Sequence, residues 1–296
     1  MKFFGYLMMA ALCLMTFSCS NEEQDVQTQT SEEVLVPVLV RVNGFSISQE
    51  EFPGTRATTP ASQYNGVKAL TLAYYKSDGT EVYKHTQLRE DNTTYTTFGV
   101  FSCYLPQNSY TMVVIANGGD HAVTLSSKTS ATYGDNRVMD TFAASQAVVV
   151  NSTDALNLDV TLDRIVSAVA VQSTDNRPAG VTHMRLTFSK GGKSFDPTTG
   201  LATSNTGFVN LMGFTGNAGN TTYSGGYIFL ATDEQTMDVT IETLDADENV
   251  LFSKTVTDVP LKRNRQTTLT GALYSRAASA SIKINSDWLT LTNLNF

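Results

Sequence analysis

Cysteine, histidine and charge are all scarce in this chain, and each shortage closes off a class of function. The 296 residues hold three cysteines, Cys13, Cys19 and Cys103. The first two fall in an N-terminal apolar segment, which leaves Cys103 alone in the body of the protein and rules out an internal disulfide there. Cys103 lies in the strand-like run VFSCYL, which favours a buried structural thiol over a nucleophile. The three histidines, His85, His121 and His183, are widely separated, with no pair at metal-ligand spacing. No metal, no cofactor and no catalytic pair is expected, and the chain reads as a non-enzyme. Charged residues make up 16% and the net charge is −8, so nucleic acid, which needs a basic stripe, is excluded as a partner. Two motif fragments fail on their missing parts. Lys190-Gly191-Gly192-Lys193-Ser194 lacks the spacing of a phosphate loop, and Asp245, Asp247 and Asn249 lack the glycine and distant glutamate of a calcium loop. Both read as turns.

Hydrophobic residues reach 41%, and the remainder is rich in Thr, Ser, Asn and Gly, a profile of strands and turns. The class is all-β. The chain is long for one sandwich and comfortable for two.

The N-terminus carries an export pattern, with Lys2 followed by an apolar run through Phe17 that is short for a membrane span. The run ends Thr16-Phe17-Ser18-Cys19, similar to a lipobox, so Cys19 is the candidate for lipidation (palmitate); the alternative is a plain signal peptide in which Cys19 is incidental. Residues 1–19 are read as the signal and residues 20–33, SNEEQDVQTQTSEE, as a disordered acidic tether.

Residues 34–57, VLVPVLVRVNGFSISQEEFPGTRA, organise the rest. Val34, Val36, Val38, Val40 and Val42 occupy alternate positions and define a half-buried strand. Pro37 cannot donate to a ladder, so the strand is expected either at a sheet edge, from which it could leave, or only partly paired. Arg56, followed by Ala57, sits among Pro, Gly and Thr in an exposed segment open to a trypsin-like protease; the plain alternative is a solvated loop arginine.

Further strands are expected at residues 67–75 and 81–85, joined by a turn, and at 93–98, 99–105, 147–150 and 156–162. Residues 110–116, YTMVVIA, form a near-continuous apolar run and so a strand buried on both faces. Residues 123–144 lose periodicity and read as a long loop with a short helix at 138–144. A second landmark, LDRIVSAVAVQ at 162–172, reads as one interior strand, with a domain boundary near Asp163. Strands follow at 183–189, 227–231, 237–244, 250–256 and 266–273, with residues 196–226 as a surface loop. Tyr74 and Tyr75 read as sandwich surface. Two strand sets of about seven each match a pair of Greek-key sandwiches, residues 34–162 and 163–296. The tail alternates Ala278, Ala280, Ile282 and Ile284, then reaches Trp288, Leu289 and Leu291, a pattern that needs something to dock on.

The lipobox-like Cys19, the valine strand, Thr55-Arg56-Ala57, YTMVVIANGG, LDRIVSAVAV and LKRNRQTTLTGALY before an amphipathic tail occur in an order that resembles the fimbrillins, lipoprotein-derived subunits of type V pili. The resemblance implies two transthyretin-like β-sandwiches in tandem, an outer-membrane, surface-exposed position and an arginine-specific protease that cuts after the first strand. It implies Arg56 as the cut, residues 34–45 as the expelled strand, residues 278–296 as the donor strand to another pilin subunit, and a stalk or anchor role serving adhesion. The rival reading is a surface glycan-binding lipoprotein of two sandwiches, based on the tyrosines and residues 196–226.

Overall fold

The computed structural model describes residues 34–46, 58–59, 61–90, 97–119, 123–214, 217–275 and 293–295. Alternating sequence becomes strand throughout, and the described residues contain no helix: the protein is all-β. In chain order the strands are β1 (Leu35–Ser46), β2 (Thr58–Thr59), β3 (Ala69–Lys76), β4 (Glu81–Leu88), β5 (Val100–Pro106), β6 (Asn108–Asn117), β7 (Thr124–Ser127), β8 (Ser130–Thr132), β9 (Thr141–Val150) and β10 (Leu156–Arg164). They continue with β11 (Ser167–Asn176), β12 (His183–Phe188), β13 (Ser194–Asp196), β14 (Leu201–Ala202), β15 (Phe208–Gly213), β16 (Thr221–Ile228), β17 (Glu234–Leu244), β18 (Val250–Lys262), β19 (Gln266–Gly271) and β20 (Asn293–Asn295).

The first sheet follows the order β2-β1-β10-β9-β6-β3-β4, with β5 on β1. Its β9–β10 joint consists of two residue pairs, Ala143 with Asp163 and Phe142 with Arg164. So short a joint lets the sheet fold over itself, and β5-β1-β10 shares one core with β4-β3-β6-β9. Val36, Val38, Val40, Val42 and Phe45 meet Leu72, Tyr74, Phe101, Met112, Val114, Phe142 and Leu162 in that core.

The second core joins sheet β16-β11-β19-β20 to sheet β15-β12-β17-β18 through Val169, Val171, Ile228, Leu269, Leu186, Ile241 and Val259. It also takes in the back of the first sheet. Ala73 and Tyr75 of β3 and Val113 and Ile115 of β6 belong to it, while their alternate neighbours belong to the first core. This explains the unbroken apolar run in β6, because a strand buried on both faces has no polar side to display. Tyr74 and Tyr75 are therefore core residues, one in each core, and not sandwich surface.

Three further expectations change. Residues 123–144 are not a loop with a helix: β7 and β8 pair there, and β8 joins β13 and β14 from the other half in a four-stranded sheet. Residues 196–226 are not a surface loop either, because β14, β15 and much of β16 arise from them. Strands of two to four residues are too short to show a period, and the β16 glycines answer packing rather than looseness. A Cβ on Gly225 would overlap the Val169 carbonyl oxygen across the β11–β16 ladder. Residues 162–172 divide between β10 and β11, with a break at Ile165 and Val166.

The most consequential correction concerns β1. It is not an edge strand; of the two readings that Pro37 allowed, the partly paired one holds. It runs antiparallel to β5 from Leu35, opposite Pro106, to Arg41, opposite Val100. It also runs parallel to β10 from Val38, opposite Leu156, to Ser46, opposite Asp163. Pro37 lies one residue ahead of the β10 ladder, so it has a strand on one side only and its missing N–H costs nothing. Proline reports the pairing of its own position and not that of the strand beyond it.

Candidate functional site

The site is the groove that β1 fills, built from the first core outward. Its two walls are β5 and β10, and its floor is the sheet β4-β3-β6-β9. Val36, Val38 and Val40 stand opposite Leu105, Cys103 and Phe101 of β5. Val38, Val40 and Val42 stand beside Leu156, Leu158 and Val160 of β10. All four valines are buried, whereas Val34, ahead of the strand, is 55% exposed and contributes nothing to the groove. Phe45 takes the fifth inward place. Strict alternation would put Gly44 there and send Phe45 outward, but the β10 register slips between Val42 and Gly44, so Asn43 is an extra residue. Gly44 carries the slip at φ 156°, a setting that side chains rarely adopt.

Five such side chains contribute about 8 to 15 kcal/mol as an upper estimate, at about 1.5–3 kcal/mol each. That is comparable to the whole stability of a typical domain, roughly 5–15 kcal/mol. An empty groove would therefore not persist; it needs an occupant.

The far end of the groove is an aromatic socket. Phe45 lies with its ring centroid 4.7 Å from Phe142 and 5.1 Å from Tyr64, and Tyr64 meets Phe142 edge-on at 5.8 Å. Arg164 holds both walls. Its guanidinium lies 4.7 Å above the Phe142 ring and donates to the Tyr64 hydroxyl at 3.2 Å. The same guanidinium forms a bidentate pair with Asp140, at 2.7 and 2.9 Å, and donates to Asn264 Oδ1 at 3.4 Å. Burial opposes its charge, but the hydrogen bonds and charge of Asp140 prevail and hold it above its ordinary value. Burial also raises the Tyr64 phenol, with Asp140 adding to the effect.

The loop that carries Tyr64 is fixed from a second side. Arg89 donates to the carbonyls of Val67 (2.7 Å), Ala61 and Tyr64 (both 2.8 Å) and Ser62 (3.2 Å), and its guanidinium lies 4.3 Å over Phe98. Neither Arg89 nor Arg164 stood out in the sequence as more than a charge among strands. The available signal was an arginine between two apolar strands in LDRIV, a place where charge must find a buried partner.

Cys103 is buried and faces the groove opposite Val38; burial pushes its thiol up to about 11. Among the expected site residues, Cys19, Arg56, Ala57, Ile282, Ile284, Trp288, Leu289 and Leu291 lie outside the described residues. At the C-terminus, β20 pairs parallel with β19, Leu294 opposite Leu269. A second concavity, about 620 Å³, opens where β9 and β10 part. Gln146, Asp159, Asp163, Thr198 and Asn264 are among its lining residues, and no aromatic ring lines it, so it lacks a sugar-stacking platform. Among the described residues no group of three His, Cys, Asp or Glu side chains is placed to hold a metal ion. Asp245 spends its carboxylate within its own turn, accepting from the Asp247 and Asn249 amides at 2.9 Å.

Residues 43–290 match the model of a protein family of unknown function, DUF6562. The chain belongs to that family. No curated protein matches it in sequence. In structure, the DUF6562 chain shares its fold with a candidate adhesin from Bacteroides ovatus, with a TM-score of 0.51, 10% identity and coverage of 88% of this chain and 96% of that one. The fimbrial anchor protein Mfa2 from Porphyromonas gingivalis matches with a TM-score of 0.47 and 12% identity over 80% of this chain and 90% of that one. A candidate polysaccharide-binding protein (DUF1812) from Bacteroides thetaiotaomicron matches at 0.46 and 10%, over 85% and 95%.

Proposed function

We propose that this DUF6562 chain is a structural subunit of a surface fimbrium, of the fimbrillin type, that assembles by strand exchange and serves adhesion. The observation that carries the reading is β1 itself. One strand supplies five inward side chains to the first core, is wedged between β5 and β10, and is joined to the remainder through residues 47–57, which contain Arg56. A single cut after Arg56 would leave β1 held by non-covalent contacts alone, and the loop carrying Tyr64 would stay pinned by Arg89. The vacated groove has the walls, floor and unpaired ladder groups that an incoming strand from another pilin subunit requires.

On this reading the chain travels as a lipoprotein anchored in the outer membrane through Cys19, an arginine-specific protease is its processing partner, and no catalysis is performed. The fold shared with a Bacteroides ovatus protein described as a candidate adhesin is in keeping with such a role. The test is to treat the purified precursor with an arginine-specific protease. A fragment ending at Arg56 should appear, followed by polymers; a chain that is cut there and stays monomeric with β1 in place refutes the exchange mechanism.

A further inference from the structure

A sheet edge without a neighbour displays a row of backbone donors and acceptors, and folded chains ordinarily guard such edges with charge, proline or short length. β9 is an edge over most of its length. It leaves β10 after the pairs Phe142 with Arg164 and Ala143 with Asp163, and no other described strand stands on that side. Its sequence, TFAASQAVVV, holds no charge and no proline. The other long outer strands differ. β4 and β18 carry charges, β5 ends in Pro106, and β15 and β16 contain glycines that weaken pairing. The facing lip of the gap, β10, carries Asp159 and Asp163.

The hydrogen bonds at the root of the gap fix which groups of β9 are open. In an antiparallel ladder one residue aims its N–H and C=O to one side and the next residue aims them to the other. The Ile165 N–H donates to the Thr141 carbonyl at 3.0 Å, away from β6, whereas the Gly118 N–H, at the end of β6, donates to the Asp140 carbonyl at 2.8 Å. Thr141, Ala143, Ser145, Ala147 and Val149 therefore aim away from β6. Ala143 is met by Asp163, which leaves Ser145, Ala147 and Val149 along the open edge, with Val149 57% exposed. These positions are symmetric about Ala147. An antiparallel copy of the same edge, related by a two-fold axis at Ala147, sets a donor against every acceptor.

We infer that two copies of this chain associate edge to edge through β9, with Ala147 opposite Ala147 and Ser145 opposite Val149 of the second copy. The β4-β3-β6-β9 layers of the two then form one continuous sheet. The edge is neutral, so copies that each carry a net charge of −8 meet where neither repels the other. The space needed is present as well. Beyond Val150, residues 151–155 of the second copy enter the concavity of about 620 Å³ beside residues 143–146, where Thr161 and Thr198 are among the lining residues. They bring Asp154 toward Asp159 and Asp163, so association strengthens as salt screens these carboxylates. β1 lies in the other layer, and the contact does not depend on strand exchange.

The experiment follows the full, uncut chain by equilibrium sedimentation at about 0.15 M and about 0.5 M salt. A monomer–dimer equilibrium is expected, tighter at the higher salt. Val149→Lys should raise the dissociation constant at least about tenfold, because a symmetric contact carries the change twice. The site is exposed, so the urea midpoint of this variant should stay at the wild-type value. Ala147→Pro should abolish the dimer and leave the monomer folded, since the N–H it removes faces away from β6. Cross-linking reads the register in a Cys13→Ser, Cys19→Ser background that retains the buried Cys103. Ala147→Cys should give a disulfide-linked dimer under mild oxidation, because directly opposed residues of a hydrogen-bonded pair lie about 5.5 Å apart. Ser145→Cys alone should not, whereas a mixture of Ser145→Cys and Val149→Cys chains should. A chain that stays monomeric up to about 100 µM at both salt concentrations overturns the inference. So does a dimer that Val149→Lys and Ala147→Pro leave within about threefold of wild type and that Ala147→Cys does not cross-link, since it would use another face.

Discussion

Cys103 offers a direct reading of whether the groove is filled. Its thiol lies opposite Val38 and is 6% exposed, so β1 stands between it and solvent. Burial pushes it up to about 11, which makes the reactive thiolate about a hundredfold scarcer at neutral pH than for an ordinary cysteine. Steric exclusion multiplies that factor. With Cys13→Ser and Cys19→Ser, Cys103 is the one remaining thiol. In that background the intact chain should react with a disulfide reagent such as DTNB at least about a hundredfold more slowly than the unfolded chain. A chain beginning at Ala57, which lacks β1, should approach the unfolded rate. Adding a peptide of residues 34–46 should restore the slow rate, and the same peptide carrying Val38→Asp should not, because it would bring an unpaired carboxylate into the core. The reasoning is refuted if the chain from Ala57 keeps Cys103 protected without any peptide, since β1 would then not be what covers the thiol.

Asp140→Asn should cost about 3–5 kcal/mol in urea unfolding, because it leaves Arg164 buried without its counter-charge; a loss under about 1 kcal/mol would mean that the pair is not structurally required. Arg89→Lys, which trades a planar fork for a point donor, should destabilise by about 1–3 kcal/mol and speed proteolysis within residues 61–67, as read by mass spectrometry of the fragments. Stability should fall in alkali. Burial raises Cys103 to about 11 and Tyr83 to about 12, and it raises Tyr74 and Tyr75 further. Groups raised by folding stabilise fully below their unfolded values, about 9 to 10, and lose that contribution as pH climbs through the folded values. Thermal scans should therefore be flat from about pH 6 to 8 and fall steeply above about pH 10, with part of the tyrosinate absorbance withheld until that transition; a chain whose tyrosine absorbance develops in full before unfolding would contradict the burial of Tyr74 and Tyr75.

The features legible in the sequence were those that depend on a residue and its near neighbours. Alternation showed that Val36, Val38, Val40 and Val42 share one face, and the structure buries all four. The apolar run at 110–116 had no polar face to show, and it became β6, shared by two cores. The scarcity of cysteine left Cys103 a lone buried thiol. Length and turn chemistry placed most of the longer strands. The tertiary structure decided whatever depends on a partner distant in the chain. Pro37 suggested an edge, but pairing with β5 and β10 made β1 central, because a strand's position is set by which neighbours fold against it. The bulge at Asn43 reversed the faces of Gly44 and Phe45, which the alternation of residues 34–42 had no means of announcing. Segments as short as β8 and β13 became a sheet only because Ala131 and Phe195 met across the two halves. Arg164 is the clearest case. In sequence it is a charge between apolar runs; in the fold, Asp140, Tyr64 and Asn264 converge on it from 24 to 100 residues away, because a buried guanidinium is stable only where the fold brings acceptors to it.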